Sequence, residues 1–260
     1  MLRISEILQL QAMQDEAKLP SLRLCFISQV LRTDSAELMT VLDFDPEERR
    51  RNVSVSAAIA PIEWKDCKLN IIDTPGLFDF EGEMCEGIAA SECVLIVLGA
   101  GHKYDVGAEK AFKAAKKRGK MFAITRCDKE HADFYKTFEE IKAVHGGAVC
   151  PVIVPYIVDG QVKAYVNLAA RKGYEYHDGD AVEIPMPDDP KIQEMLDILT
   201  EAVATASDEL MEKFFAGEEF TRKEIIKALN DGVNTSSVYP VYACSGYTTD
   251  GVDLLMDELA

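Results

Sequence analysis

Hydrophobic and polar positions alternate along the chain in blocks that suit strands and helices. Short apolar runs, bounded by polar or turn-forming residues, predict five buried strands. These runs are Leu69–Ile72, Cys93–Leu98, Met121–Thr125, Val149–Val154 and Tyr239–Ala243. Helical spacing separates the first four, near residues 82–91, 106–118 and 130–145. This alternation predicts an α/β fold, in which helices cover both faces of a doubly wound, mostly parallel sheet.

A hairpin precedes the first parallel strand. The stretches Val53–Trp64 and Lys68–Ile72 flank a polar turn at Lys65 and Asp66. Two apolar runs joined by so short a turn are typical of antiparallel pairing, so an antiparallel strand is predicted at one side of the sheet.

The rhythm changes between Pro155 and Val238. This stretch carries 17 acidic and 8 basic residues, so it supplies −9 of the total charge of −17. Thr221 and Glu224 form a capping-box pattern at the start of its last helix, and Gly232 predicts where that helix ends. We interpret the stretch as an α+β subdomain inserted between the fourth and fifth strands.

Composition narrows the class of protein. The 260 residues suit one large domain or two small ones, and the hydrophobic content of 48% excludes a disordered chain. No apolar run approaches the ~20 residues of a membrane span. The seven cysteines form no C-x-x-C pair, which predicts free thiols in a reducing cytoplasm. The net charge of −17 predicts no general nucleic-acid binding, because an acidic surface repels phosphates.

One predicted strand ends in a motif that suits nucleotide chemistry. Leu69–Ile72 runs directly into D-T-P-G, which is Asp73 to Gly76. An Asp at the carboxyl end of a strand can reach a magnesium-bound water, and a Gly amide can approach a γ-phosphate closely. The same residues also suit an ordinary strand followed by a Pro-Gly turn, so the motif alone leaves both interpretations open.

Three further segments give this motif a context. They are D-F-D-P-E-E-R-R-R-N-V-S-V-S from Asp43, T-R-C-D from Thr125, and C-S-G from Cys244. In order and spacing, the stretch from Thr40 to Ala260 resembles the GTP-binding domain of translational GTPases, most closely the elongation factor G-like family. In that family D-F-D-P-E-E leads into the first switch loop and D-T-P-G opens the second. The resemblance implies a P-loop-type G domain that carries an extra subdomain where the acidic insertion lies.

The resemblance also assigns the residues that would hold phosphate and metal. Asp73 would hold a water bound to Mg2+, and Gly76 would approach the γ-phosphate of GTP. Ser54 would give its hydroxyl to Mg2+ as part of the first switch. The charged residues Glu47–Arg51 before it also suit a merely solvated surface.

A second group of residues would form the guanine site of GTP or GDP. By resemblance Asp128 would accept hydrogen bonds from the base, while Ser245 and Gly246 would support it from the last loop. Thr125 and Arg126 stand where the family has Asn and Lys, which puts guanine selectivity in doubt. Asp128 equally suits the N-cap of the helix predicted at 130–145.

Two departures bear on catalysis. Leu77 occupies the position of the family's catalytic His, and a Leu side chain cannot position water, so the resemblance implies slow hydrolysis. In addition, no Gly precedes Gly76, so the chain has no G-x-x-x-x-G-K-[ST] phosphate loop, and Lys18 lies among side chains that would obstruct close approach of a phosphate.

A phosphate loop can be written in a shifted reading frame, which suggests the hypothesis of a frameshift. With permitted codons, the DNA read from the third base of Gln11 translates as G-H-A-G-R-G-K-T-S-L-A, preceded by A-P-D-I-R-N-I-A-V-A. The choice of third bases is ours, whereas the other two bases of each shifted codon are nearly fixed by the written residues. A divergent N-terminal helix is the alternative, and the strand–loop–helix context of the motif favours the frameshift.

These observations divide the chain into four expected segments. Residues 1–39 form an aberrant segment in place of the phosphate loop, 40–155 the first part of the G domain, 156–238 the acidic inserted subdomain, and 239–260 the last strand and helix. The family's later domains do not follow, so the chain is expected to be a fragment.

The expected function is that of a translational GTPase, impaired in this chain. By resemblance it would bind and hydrolyse GTP at the ribosome, in the cytoplasm, and would contact a ribosomal stalk protein through the acidic insertion. Two alternatives stay open: a nucleotide-free module that binds the ribosome or its stalk protein, and a pseudogene product without function.

Overall fold

The computed structural model of this chain describes residues 7–12, 44–51, 54–65, 67–116, 118–129, 132–177, 179–246 and 248–260. The strands are β1 Ile7–Ala12, β2 Ala58–Trp64, β3 Cys67–Thr74, β4 Cys93–Gly99, β5 Gly119–Thr125, β6 Val149–Val158, β7 Gln161–Asn167, β8 Lys172–His177, β9 Asp180–Pro185 and β10 Tyr239–Ala243. The helices are α1 Pro46–Arg51, α2 Glu81–Ala90, α3 Val106–Ala114, α4 Phe134–His145, α5 Pro190–Ala204, α6 Asp208–Ala216, α7 Arg222–Thr235 and α8 Val252–Leu259. Short 3-10 turns lie at Phe78–Phe80 and Gly146–Ala148.

All ten strands form one sheet in the order β2-β3-β1-β4-β5-β10-β6-β7-β8-β9. The six strands from β3 to β6 in this order are parallel, while β2 and the β7–β9 meander pair antiparallel. The predicted α/β fold with a mostly parallel core and the predicted antiparallel hairpin are confirmed. Strands β4, β5 and β6 are buried along nearly their whole length, as the continuous apolar runs of a covered parallel sheet require.

Two predicted helix boundaries differ from the structure. The helix expected at 130–145 begins at Phe134, because Asp133 is its N-cap and accepts a hydrogen bond from the Lys136 amide at 2.9 Å. The helix expected at 106–118 ends at Ala114. Nearby, the Lys120 ammonium donates to the carbonyls of Ala115 and Arg118, which holds the chain in its turn towards β5.

Gly232 was the wrong choice for the end of α7. The capping box of Thr221 and Glu224 is present, but the helix continues to Thr235 and ends at Ser236, whose φ of 56° is left-handed. Gly232 serves packing instead, since a Cβ there would lie 2.6 Å from the Val238 side chain. A glycine inside a helix therefore reflects close approach of the following strand.

The acidic stretch continues the main sheet. β7, β8 and β9 extend it from β6 by antiparallel pairing. Helix α5 packs on β6, whereas α7 packs on β5 and β10 and so connects the meander back to the parallel core. Within the described part of the chain, no helix is both long and apolar enough for a membrane span.

Candidate functional site

The predicted site residues gather at the carboxyl edge of the parallel strands. β3 ends at Thr74, β5 at Thr125 and β10 at Ala243, and these ends share one edge because the strands are parallel. The chain runs from β1 to β3 on one side and then crosses β1 to reach β4 on the other. Such a reversal of strand order leaves a crevice beyond the carboxyl end of the strand at the switch point, here β1.

On one side of this crevice lies the predicted base site. Ser245, whose residue is completely buried, donates from Oγ to Asp128 Oδ1 at 2.6 Å and accepts from the Thr248 amide at 3.1 Å. The Gly246 amide donates to Thr125 Oγ1 at 3.2 Å. The structure thus brings Thr125, Asp128, Ser245 and Gly246 together through adjacent strands β5 and β10.

The carboxylate of Asp128 is exposed although its position is fixed. One oxygen is held by Ser245, and the group faces solvent where a ligand could reach it. The alternative that Asp128 is the N-cap of the next helix is wrong, because Asp133 fills that position. Asp128 is left with a geometry that suits recognition of paired N–H donors, such as those on the guanine edge.

Arg126 occupies a strained position beside this carboxylate. Its φ of 64° lies in the left-handed region, which a side chain other than Gly seldom adopts. The residue is 9% exposed. Burial lowers the pKa of the Arg126 guanidinium, and the charge of Asp128 opposes that shift. Left-handed backbone at a ligand edge is a common place for functional strain.

On the other side of the crevice lie the predicted metal ligands. Asp73 is 3% exposed at the end of β3, and Ala58, the first residue of β2, pairs with it. Ser54 precedes that pair by four residues and is 4% exposed. Within the described residues its hydroxyl oxygen has no hydrogen-bond partner. A buried orphan hydroxyl and a buried carboxylate are oxygen donors of the kind that Mg2+ takes, so these residues fit the ion.

The segment after D-T-P-G is anchored by a residue that the sequence did not single out. Leu77 is half-buried and leads into the 3-10 turn, and its carbonyl accepts the Phe80 amide at 3.0 Å. Lys110 of α3 contacts Glu81 at 2.7 Å and lies 4.7 Å from the centre of the Phe78 ring. Lys110 was missed because this pairing joins separate helices and leaves no local pattern.

Several strands separate the two halves of the site. From β3 to β5 there are three strand spacings of about 4.8 Å, or ~14 Å, and β10 lies one spacing further. The crevice beyond β1 lies between them. Residues 13–43, which include Lys18 and most of the segment 1–39 that was predicted to be aberrant, lie outside the described residues.

Comparison with known proteins agrees with this geometry. The family model of the elongation factor Tu GTP-binding domain matches residues 23–260. An elongation factor G-like protein of Thermotoga maritima is 32% identical over 221 residues, which cover 84% of this chain and 32% of that protein. Elongation factor G of Ureaplasma urealyticum serovar 10 is 29% identical over 226 residues, covering 84% and 33%.

A solved structure shows the same fold. A crystal structure of a protein from Thermus thermophilus superposes with a TM-score of 0.87 at 24% identity, covering 98% of this chain and 40% of that one. The chain spans about a third of the length of the curated relatives it matches.

Proposed function

This chain belongs to the family of elongation factor Tu GTP-binding domains, and we propose that GTP or GDP binds across the carboxyl edge of its sheet, with the base at β5 and β10 and the phosphates beyond β1. The observation that carries this is the pairing of two residue groups on either side of the β1 crevice. The hydrogen-bonded cluster around Asp128 forms one group, and the buried oxygens of Asp73 and Ser54 form the other.

Recognition of guanine would rest on Asp128. Ser245 holds one carboxylate oxygen at 2.6 Å, which fixes the group's orientation towards N1–H and the exocyclic amine. Thr125 cannot offer the carboxamide of the family's Asn. Its hydroxyl instead accepts the Gly246 amide, so it holds the last loop against β5.

Mg2+ would be held by Ser54 and by a water on Asp73. The chemistry that the ion would supply is positive charge, which would neutralise the negative charge that develops on the phosphates during cleavage. Ser54 supports this assignment with a buried hydroxyl that no described residue satisfies. Asp73 lies where β2 and β3 begin to pair, so its backbone is fixed by the sheet.

Hydrolysis in this chain would be slow. Leu77 follows Gly76 at the position of the family's water-positioning His, and its side chain offers no donor or acceptor. Lys110 contacts the 3-10 turn that follows Leu77 through the Phe78 ring and pairs with Glu81 just after that turn. Any GTP that binds would therefore be cleaved slowly, and the factor would act with the ribosome as the family implies.

The phosphate loop would be restored by correcting the reading frame. The shifted codons that give I-A-V-A begin in Ile7 to Leu10, and those of the loop begin in Gln11. β1 covers Ile7–Ala12 and pairs in parallel with both β3 and β4. A strand in this place, ending where the shifted-frame loop would start, supports the frameshift.

Calorimetry on two chains tests the proposal. In the chain as written, GTP should bind no tighter than ~1 mM, because the loop amides and loop Lys are missing. Replacement of residues 1–39 by the shifted-frame sequence should bring micromolar affinity. Micromolar binding by the chain as written would contradict the claim that it lacks a working phosphate loop. No binding by the repaired chain would contradict the proposed nucleotide site. Resequencing the DNA near Met39 and Thr40 tests the frame itself.

A nucleotide-free interaction module is the second candidate. Helix α6 of the acidic stretch buries none of its residues completely, and it exposes 79% of Phe215 beside Phe214. An exposed aromatic pair among acidic residues suits a protein partner, for which the ribosomal stalk protein is the proposed match. The same calorimetry discriminates, since such a module binds GTP in neither chain.

A further inference from the structure

A buried glutamate binds both ends of the first switch. Glu48 of α1 is 1% exposed. Its Oε2 accepts the Asp45 amide at 3.1 Å, which caps its own helix, and its Oε1 accepts the amides of Val55 and Ser56 at 2.9 and 3.1 Å. Both oxygens are therefore occupied by backbone donors that flank Ser54 in sequence.

A second glutamate continues this pattern from another helix. Glu83 lies half-buried in the first turn of α2, and its Oε2 accepts the Ala57 amide at 2.7 Å. Three successive amides, those of Val55, Ser56 and Ala57, thus end on carboxylates. α2 is the helix that follows D-T-P-G, so the contact joins the two switch segments directly.

These contacts replace backbone pairing where the sheet has not yet begun. The ladder of β2 and β3 starts at Ala58, so the three preceding amides need other acceptors. Carboxylates fill this need from α1 and α2. Because hydrogen bonds to charged groups are stronger than neutral ones, the segment beside Ser54 is held firmly, yet by side chains that can release it.

We propose that Glu48 and Glu83 are positioning residues: they place the Ser54 hydroxyl at the metal side of the crevice and couple its place to α2. The metal role of Ser54 rests on the proposed function. The set of backbone hydrogen bonds accepted by Glu48 and Glu83, here called the latch, does not rest on it. Movement of the D-T-P-G segment would then be transmitted through Glu83 to the residues after Ser54, without a contact between Ser54 and α2.

The two carboxylates differ in what a conservative change should do. Glu83 uses one oxygen towards the switch, and Gln keeps such an acceptor, so Glu83→Gln should rescue what Glu83→Ala loses. Glu48 uses both oxygens, and Gln replaces one of them by an NH2 donor that would face backbone donors. Glu48→Gln should therefore fail to rescue. Matched controls are Glu47→Gln, whose carboxylate pairs with Arg50, and Glu86→Ala, which removes an exposed carboxylate of α2.

The test is hydrogen exchange, resolved to single amides, on the chain as written and without nucleotide. Glu83→Ala should speed exchange of the Ala57 amide at least ~10-fold, and Glu48→Gln should do the same for Val55 and Ser56 or for Asp45. Glu83→Gln and both controls should stay within about 3-fold of the parent. Unchanged exchange in β5 shows that each variant is folded.

Two outcomes would overturn the inference. The first is exchange at Asp45 and at Val55 to Ala57 that is no faster in Glu83→Ala and Glu48→Gln than in the controls. The second is equal acceleration by Glu83→Ala and Glu83→Gln, since the acceptor would then not matter. Neither result depends on GTP. Calorimetry therefore tests the proposed nucleotide site, and hydrogen exchange separately tests the proposed roles of Glu48 and Glu83.

Discussion

Removal of the Ser245 hydroxyl should loosen the base site by an amount that its contacts define. Ser245→Ala deletes a 2.6 Å hydrogen bond to the Asp128 carboxylate and leaves the Thr248 amide without its acceptor. Hydrogen bonds to charged groups contribute about 1.5–3 kcal/mol. Because Asp128 and Thr248 are exposed, water can replace part of the loss. We therefore expect the low end, a loss of about 1.5 kcal/mol in the free energy of unfolding.

Urea unfolding at pH 7 measures this loss, with an unchanged m-value as the sign that the unfolded state is the same. Asp128→Asn is the matched variant, since it keeps an oxygen acceptor for Ser245 and should cost less than Ser245→Ala. A double-mutant cycle of Ser245→Ala with Asp128→Ala isolates the pair. A coupling free energy near zero would show that the hydrogen bond does not hold the loop, and the orientation argument for Asp128 would be wrong.

Two other predictions concern protonation and catalysis. Burial among aromatic rings, with Phe112 stacked at 3.9 Å, lowers the pKa of His145. The contribution of His145 to stability is therefore complete above its unfolded pKa of about 6.5, and it falls as the pH is lowered and the ring is protonated. His145→Phe removes this titration, so the variant should lose less stability than the parent between about pH 7.5 and 5.5. Urea unfolding at both pH values measures the difference. In a chain repaired over residues 1–39, joined to the family's further domains and assayed with ribosomes, Leu77→His should raise single-turnover GTP cleavage more than it changes GTP affinity, and equal rates would contradict the role given to Leu77.

The parallel core and the contact between Asp128 and Ser245 could be predicted because their determinants are local. Continuous apolar runs identify covered strands, and the carboxyl ends of parallel strands meet at one edge. Asp128 and Ser245 are 117 positions apart, yet each follows such a strand directly, so their meeting was foreseeable. The family indicated by these motifs is confirmed by the match over residues 23–260.

Other features depended on partners that the sequence does not mark. Asp45 and Glu48 have the spacing of a capping box, which could have identified Glu48. Its second role, towards Val55 and Ser56, appears only when the chain folds back. Gly232 was misinterpreted for a related reason. Glycine is needed there because the Val238 side chain packs closely against it, but glycine is also the residue that commonly ends a helix, so the sequence alone did not distinguish the two. The pairing of β7 onto β6 likewise depends on which sheet edge is free.

The net charge of the chain limits how its proposed nucleotide site can bind a triphosphate. A net charge of −17 repels a triphosphate at long range, so binding must come from donors placed within the crevice. In the proposed site, Asp128 and its supporting loop would recognise a base, and Ser54 with Asp73 would offer oxygen ligands to a metal. Between these two ends, the family binds the phosphates with backbone amides and a Lys that follow the strand equivalent to β1. Nucleotide affinity in this chain therefore reports on the residues that follow Ala12, while stability of the base loop reports on Ser245, and the two can be measured independently.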